Sequence, residues 1–139
     1  MRNYGGQGWE GSKYQKTENL DVVEIAKLVK KEAQAKFPTI TISVSTQKFA
    51  GGCSIEVRIN NVDFEIYSPE FKEYNKGSRD HFFEGEWYNE KAKEVLQQLK
   101  SIVNQYRYND SNGMIDYFDT NFYSGVDYAY KLQQSQLAS

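Results

Sequence analysis

The residues able to do chemistry are few and poorly grouped. His81 is the single histidine and follows Arg79 and Asp80. A carboxylate beside an imidazole can tune it as a general base. Adjacent side chains point apart, however, and no nucleophile stands near. Cys53, the single cysteine, lies in an alternating apolar segment that turns it inward. Asp80, His81, Glu84 and Glu86 are close in sequence but lack the spacing of metal ligands on a regular element. Asp116 and Asp119 have opposite parity in an extended segment, so they should not share an ion. Gly51-Gly52 closes a hairpin, and Gly5-Gly6-Gln7-Gly8 follows no strand, so neither run presents a helix N-terminus to a phosphate. The expectation is a protein that is not an enzyme, with no cofactor and no metal site.

What remains is surface chemistry. The net charge of −2 does not point to a generic polyanion binder. Residues 108–139 carry four aspartates (Asp110, Asp116, Asp119, Asp127) against Lys131 alone, and they are dense in tyrosine and phenylalanine. Exposed aromatics beside carboxylates serve as anchors for a protein partner and suit a basic one. Ordinary surface charge on an edge strand produces the same pattern. The candidate partner-binding residues are Asp116, Tyr117, Asp119, Tyr123 and Tyr128, with Phe118 and Phe122 turned toward a helix. Residues 1–50 hold eight Lys/Arg against five Asp/Glu, and Lys27, Lys30, Lys31 and Lys48 carry a rival reading as a nucleic-acid surface. An aromatic pocket for a small ligand is a third reading.

The elements that must position these residues follow from periodicity. Asp21 and Glu24 form a capping box, Leu20 and Ile25 a hydrophobic staple, and Ile25, Leu28, Val29 and Ala33 recur at helical spacing until Pro38. Ile40, Ile42 and Val44 alternate, then Cys53, Ile55, Val57 and Ile59, then Val62, Phe64 and Ile66. Turns at Phe49–Gly52 and Asn60-Asn61 set Val44 opposite Val57 and Ile59 opposite Val62, which brings every apolar residue onto one face. Arg58 then faces Asp63. Ser68-Pro69-Glu70 starts a short helix that ends near Tyr74, and residues 75–86 read as a loop. A long helix runs from about Asn89 to Tyr106 with Ala92, Val95, Leu96, Leu99, Ile102, Val103 and Tyr106 in one stripe. Met114–Tyr123 alternates as a further strand.

The expected fold is α+β: an antiparallel sheet, with a three-stranded meander plus a C-terminal edge strand, and two main helices packed on one face. Residues 1–16 read as a flexible arm that can dock through Trp9. Residues 17–132 read as one domain and residues 133–139 as a frayed tail. No run approaches the ~18 apolar residues of a membrane span. With no cysteine pair and no apolar leader, the chain reads as cytoplasmic.

The run Val22-Val23-Glu24-Ile25-Ala26-Lys27-Leu28-Val29-Lys30-Lys31 leads into Phe37-Pro38, then Gly51-Gly52-Cys53-Ser54-Ile55-Glu56-Val57, and later Asn112-Gly113-Met114-Ile115-Asp116. This order resembles the large polyvalent protein-associated domain of type 29, found in proteins of phages and conjugative elements, over roughly residues 17–128. The resemblance implies an α+β fold and a mobile-element origin and supplies no catalytic residues. It implies an accessory factor, expected to act in counter-defence as an anti-CRISPR-like inhibitor of a host nuclease or effector. The alternative is a nucleic-acid module that assists transfer or replication.

Overall fold

The computed structural model describes residues 8–77, 82–109 and 120–138. Its elements run β1 (Trp9–Glu10), α1 (Tyr14–Thr17), α2 (Val22–Lys36), β2 (Thr41–Phe49), β3 (Gly52–Asn61), α3 (Pro69–Lys76), α4 (Glu90–Asn104), β4 (Tyr108–Asn109), β5 (Tyr123–Tyr128) and α5 (Tyr130–Ala138). The fold is α+β. β2, β3 and β5 form one sheet in that order, and β1 pairs with β4 in a second.

Local signals account for the helix boundaries. Asp21 caps α2, although its carboxylate accepts from the Val22 backbone N–H at 2.8 Å rather than from Glu24. Phe37, just before Pro38, ends the helix. Ile25, Val29 and Ala33 are buried, as the stripe requires, and Val22 and Ala26 join them. Asn89 caps α4 by accepting from Ala92 N–H at 2.8 Å. The seven expected apolar residues are all buried, but α4 ends at Asn104, so Tyr106 lies beyond the helix rather than in it. α2 packs on β2 and against α4, while α4 packs on β5.

The β2–β3 hairpin has the expected register, with Ile42 opposite Ile59, Val44 opposite Val57 and Phe49 opposite Gly52. Gly52 has φ +146°, a conformation that side-chain-bearing residues rarely adopt. Ile55, Val57 and Ile59 are fully buried at the centre.

The antiparallel meander is corrected at its third strand. The chain does not turn back at Asn60-Asn61. The free edge of β3 is taken by β5, which runs parallel to it with Val57 beside Val126 and Ile59 beside Tyr128. Ala129 N–H then donates to Ile59 C=O at 2.9 Å. With that slot filled, residues 62–66 find other partners for their backbone. Gln136 of α5 donates from Nε2 to Phe64 C=O at 2.8 Å and accepts from Ile66 N–H at 2.7 Å. Asn89 Nδ2 donates to Glu65 C=O at 2.6 Å. The alternation of this segment still reports burial, since Ile66 is fully enclosed. Arg58 faces Ser43 and Asp127, not Asp63, and its Nη2 lies 3.1 Å from Glu56 Oε2. The expected strand Met114–Tyr123 lies mostly outside the described residues. The strand seen here begins at Tyr123.

The N-terminal segment packs back on the domain. Trp9 pairs with Asn109 and Glu10 with Tyr108. Gly11 N–H donates to Arg107 C=O at 2.7 Å, and a Cβ at Gly11 would overlap the Asn104 carbonyl. Lys13 Nζ donates to Glu32 Oε1 at 2.7 Å, and Tyr106 Oη donates to the same oxygen at 2.9 Å. Burial alone would raise the Glu32 pKa. The hydrogen bonds from Lys13 and Tyr106 outweigh it and hold the carboxyl below its ordinary value. α5 covers residues 130–138, including most of the segment expected as a tail.

Two outcomes follow. Val57→Asp places an unpaired charge at the centre of the sheet and should lower stability by about 3–5 kcal/mol in urea titration; a loss under about 1 kcal/mol would mean that the facing is wrong. Because the folded-state pKa of Glu32 is depressed, its contribution is complete above the ordinary value near 4.5 and is lost as pH falls below it. In a Trp87→Phe protein, Trp9 emission should report release of the arm in that acid range, and Glu32→Gln should abolish the acid step. An unchanged acid step in Glu32→Gln would separate arm docking from this carboxylate.

Candidate functional site

The site grows from a clasp between two extended stretches. Ser68 Oγ accepts from Phe71 N–H at 3.1 Å, which caps α3, and donates to Glu86 C=O at 2.6 Å. Ser68 N–H also donates to Trp87 C=O at 2.8 Å. One buried serine thus starts a helix and fixes the segment that delivers Trp87. Tyr67 and Tyr88 form a bridge beside it, and Asn89 N–H donates to Ile66 C=O at 2.9 Å.

On α3, Phe71 and Tyr74 are three residues apart and share a face. Phe71 is buried, and the Trp87 ring stacks on it with centroids 4.4 Å apart and planes 19° apart. Phe83 meets Phe71 edge-on at 5.4 Å and lies 5.2 Å from Tyr74. Between α3 and α5 this leaves an open groove of about 610 Å³ lined by Phe71, Tyr74, Asn75, Trp87, Gln134 and Leu137. Trp87 is 53% exposed at the groove, and nearby Phe82 is 80% exposed.

The groove is braced from below by rings. Tyr67 stacks on Phe71 at 5.2 Å and lies 5.6 Å from Tyr88, which meets Tyr128 edge-on at 5.2 Å. Tyr88 Oη donates to Asp127 Oδ1 at 2.8 Å, and Tyr128 Oη donates to Ala92 C=O at 2.8 Å. Burial pushes both phenols far above their ordinary range, and the Asp127 carboxylate adds to it. They stay protonated and act as fixed donors.

Of the sequence-predicted partner-binding residues, Tyr123 and Tyr128 are described. Asp116, Tyr117, Asp119 and Phe118 lie outside the described residues. Tyr123 is exposed, with its ring 6.0 Å from Phe49. Tyr128, expected at the partner surface, is buried, because its pairing with Ile59 turns it into the core. Phe122 is also buried. His81, Arg79 and Asp80 are outside the described residues. Cys53 is half-buried, with Sγ 3.5 Å from Asn121 C=O, and burial pushes its thiol up. Lys27, Lys30 and Lys31 are exposed along α2. Among the described residues no group of three or more His, Cys, Asp or Glu could hold a metal ion. No helix among them is long and apolar enough to cross a membrane.

Sequence reasoning passed over Trp87. The usable signal was local: a tryptophan preceded by Glu84 and Glu86, two residues before Asn89, with Phe71 and Tyr74 at helical spacing upstream.

Ser68→Ala should cost about 1–2 kcal/mol through the lost cap and should shift Trp87 emission to the red in a Trp9→Phe background. Unchanged emission would show that the groove does not depend on this clasp. Comparison with protein-family models, curated proteins and solved structures returned no match, so the resemblance to the type 29 domain rests on the residues quoted for it.

Proposed function

We propose that this chain is a non-enzymatic protein-binding factor whose contact site is the groove between α3 and α5. The observation that carries the reading is Trp87, half-exposed yet held by its stack on Phe71. A large apolar ring kept at the surface in a fixed pose is the usual anchor of an interface. Rings braced in this way lose little entropy on binding.

The biological setting is carried by the resemblance alone. In that setting the protein is an accessory factor of a phage or other mobile element, acting in counter-defence against a host nuclease or effector. Such effectors bind nucleic acid and present basic surfaces, which suits a partner with acidic and aromatic contact residues. A second reading has one observation in its favour. Lys27, Lys30 and Lys31 sit at helical spacing on the exposed side of α2, and no carboxylate pairs with them among the described residues. A row of this kind can track a phosphate backbone.

The test is a plating assay in a host armed with a defence nuclease. Expression of the protein should restore plating of a targeted phage. Trp87→Ala, with its fold checked by circular dichroism, should remove most of that effect, and His81→Ala and Cys53→Ser should keep it. Full protection by a folded Trp87→Ala protein would rule out the groove. Protection lost only on replacing Lys27, Lys30 and Lys31 would favour nucleic acid.

A further inference from the structure

We propose that the occupant of the groove is an extended, arginine-bearing segment of the partner, with a guanidinium stacked on the solvent face of Trp87. This deepens the reading above and rests on it. Phe71 covers one face of the indole at 4.4 Å, and the exposure of Trp87 leaves the other open. The face of an indole is its electron-rich side and attracts cations, and a planar, weakly hydrated guanidinium stacks there better than an ammonium.

The charge of the two segments that carry the groove's rings selects the same ligand. Residues 65–77 and 82–90 carry six glutamates (Glu65, Glu70, Glu73, Glu84, Glu86, Glu90) against two lysines. Three of the six are paired: Lys72 lies 3.1 Å from Glu65, and Lys93 lies 2.9 Å from Glu90 and 3.9 Å from Glu86. Glu70, Glu73 and Glu84 are exposed and form no ion pair among the described residues. A phosphate backbone would be repelled here, and a cationic peptide drawn in. The groove is not an enclosed cavity, and Gln134, an exposed residue, lines its wall within reach of a peptide backbone.

The experiment uses the full chain with Trp9→Phe, so that Trp87 is the only tryptophan. Its emission is titrated with a short Gly/Ser peptide carrying two arginines, with the same peptide carrying citrulline instead, and with an apolar helical peptide. The arginine peptide should give a saturable change. Citrulline, which keeps the shape and removes the charge, should weaken binding about tenfold or more. Glu73→Gln with Glu84→Gln, or higher salt, should weaken the arginine peptide as well. Equal binding of the arginine and citrulline peptides, no saturable change with either, or preference for the apolar helix would overturn the proposal. Trp87→Ala can abolish protection in cells while the two peptides behave alike; the groove then remains the contact site and the arginine occupant is wrong. If the arginine peptide binds selectively but Trp87→Ala protects fully, the occupant chemistry stands and the proposed function falls.

Discussion

The structure depends on the closure of β3 by strands on both sides. Ile55, Val57 and Ile59 are fully buried, so the backbone between them has no water to turn to. β2 supplies one ladder through a hairpin of two turn residues. β5 supplies the other from more than sixty residues downstream in sequence, in parallel. The parallel pairing requires a long crossover, and this one contains α3, α4 and β4. The segment that carries Phe71, Tyr74 and Trp87 is therefore an insertion between two neighbouring strands of one sheet, and α5, which follows β5, supplies the groove's other wall.

That arrangement braces the groove. Tyr128 lies on the inner face of β5 because it pairs with Ile59, and from there it supports Tyr88, Tyr67, Phe71 and finally Trp87. Each ring rests on the next, and the Tyr88 and Tyr128 hydroxyls are tied to Asp127 and Ala92. A surface tryptophan is linked by contacts to the centre of the sheet.

Arg107 holds the other end of the crossover. Its Nε donates to Phe122 C=O at 2.9 Å, Nη1 to Asn104 Oδ1 at 3.2 Å and Nη2 to Thr120 Oγ1 at 3.3 Å. Asn121 adds a second clasp, donating from Nδ2 to Tyr106 C=O at 2.8 Å and accepting from Tyr108 N–H at 3.0 Å. Burial lowers the Arg107 pKa, and the Trp9 ring lies 5.6 Å away. The same residue thus aims β5 at its slot and receives the N-terminal arm, whose close approach needs the missing side chain of Gly11.

The sequence by itself determined the elements whose partners are close in the chain. The helix starts at Asp21 and Ser68, the stripes of α2 and α4 and the β2–β3 register all depend on spacing of a few residues or one tight turn, and periodicity expresses such constraints directly. It also marked Val62, Phe64 and Ile66 as an alternating run, since alternation records which side chains are enclosed. Only the tertiary structure decided what that run pairs with. An open strand edge accepts any extended segment, parallel or antiparallel, and the choice between residues 62–66 and β5 was made by packing over long sequence distance. The same choice buried Tyr128, left Tyr123 outside and set Tyr128 beneath the rings that lead to Trp87. A tryptophan in a polar stretch gives no periodic signal, and its role depends on Phe71 sixteen residues earlier and on α5 at the other end of the chain.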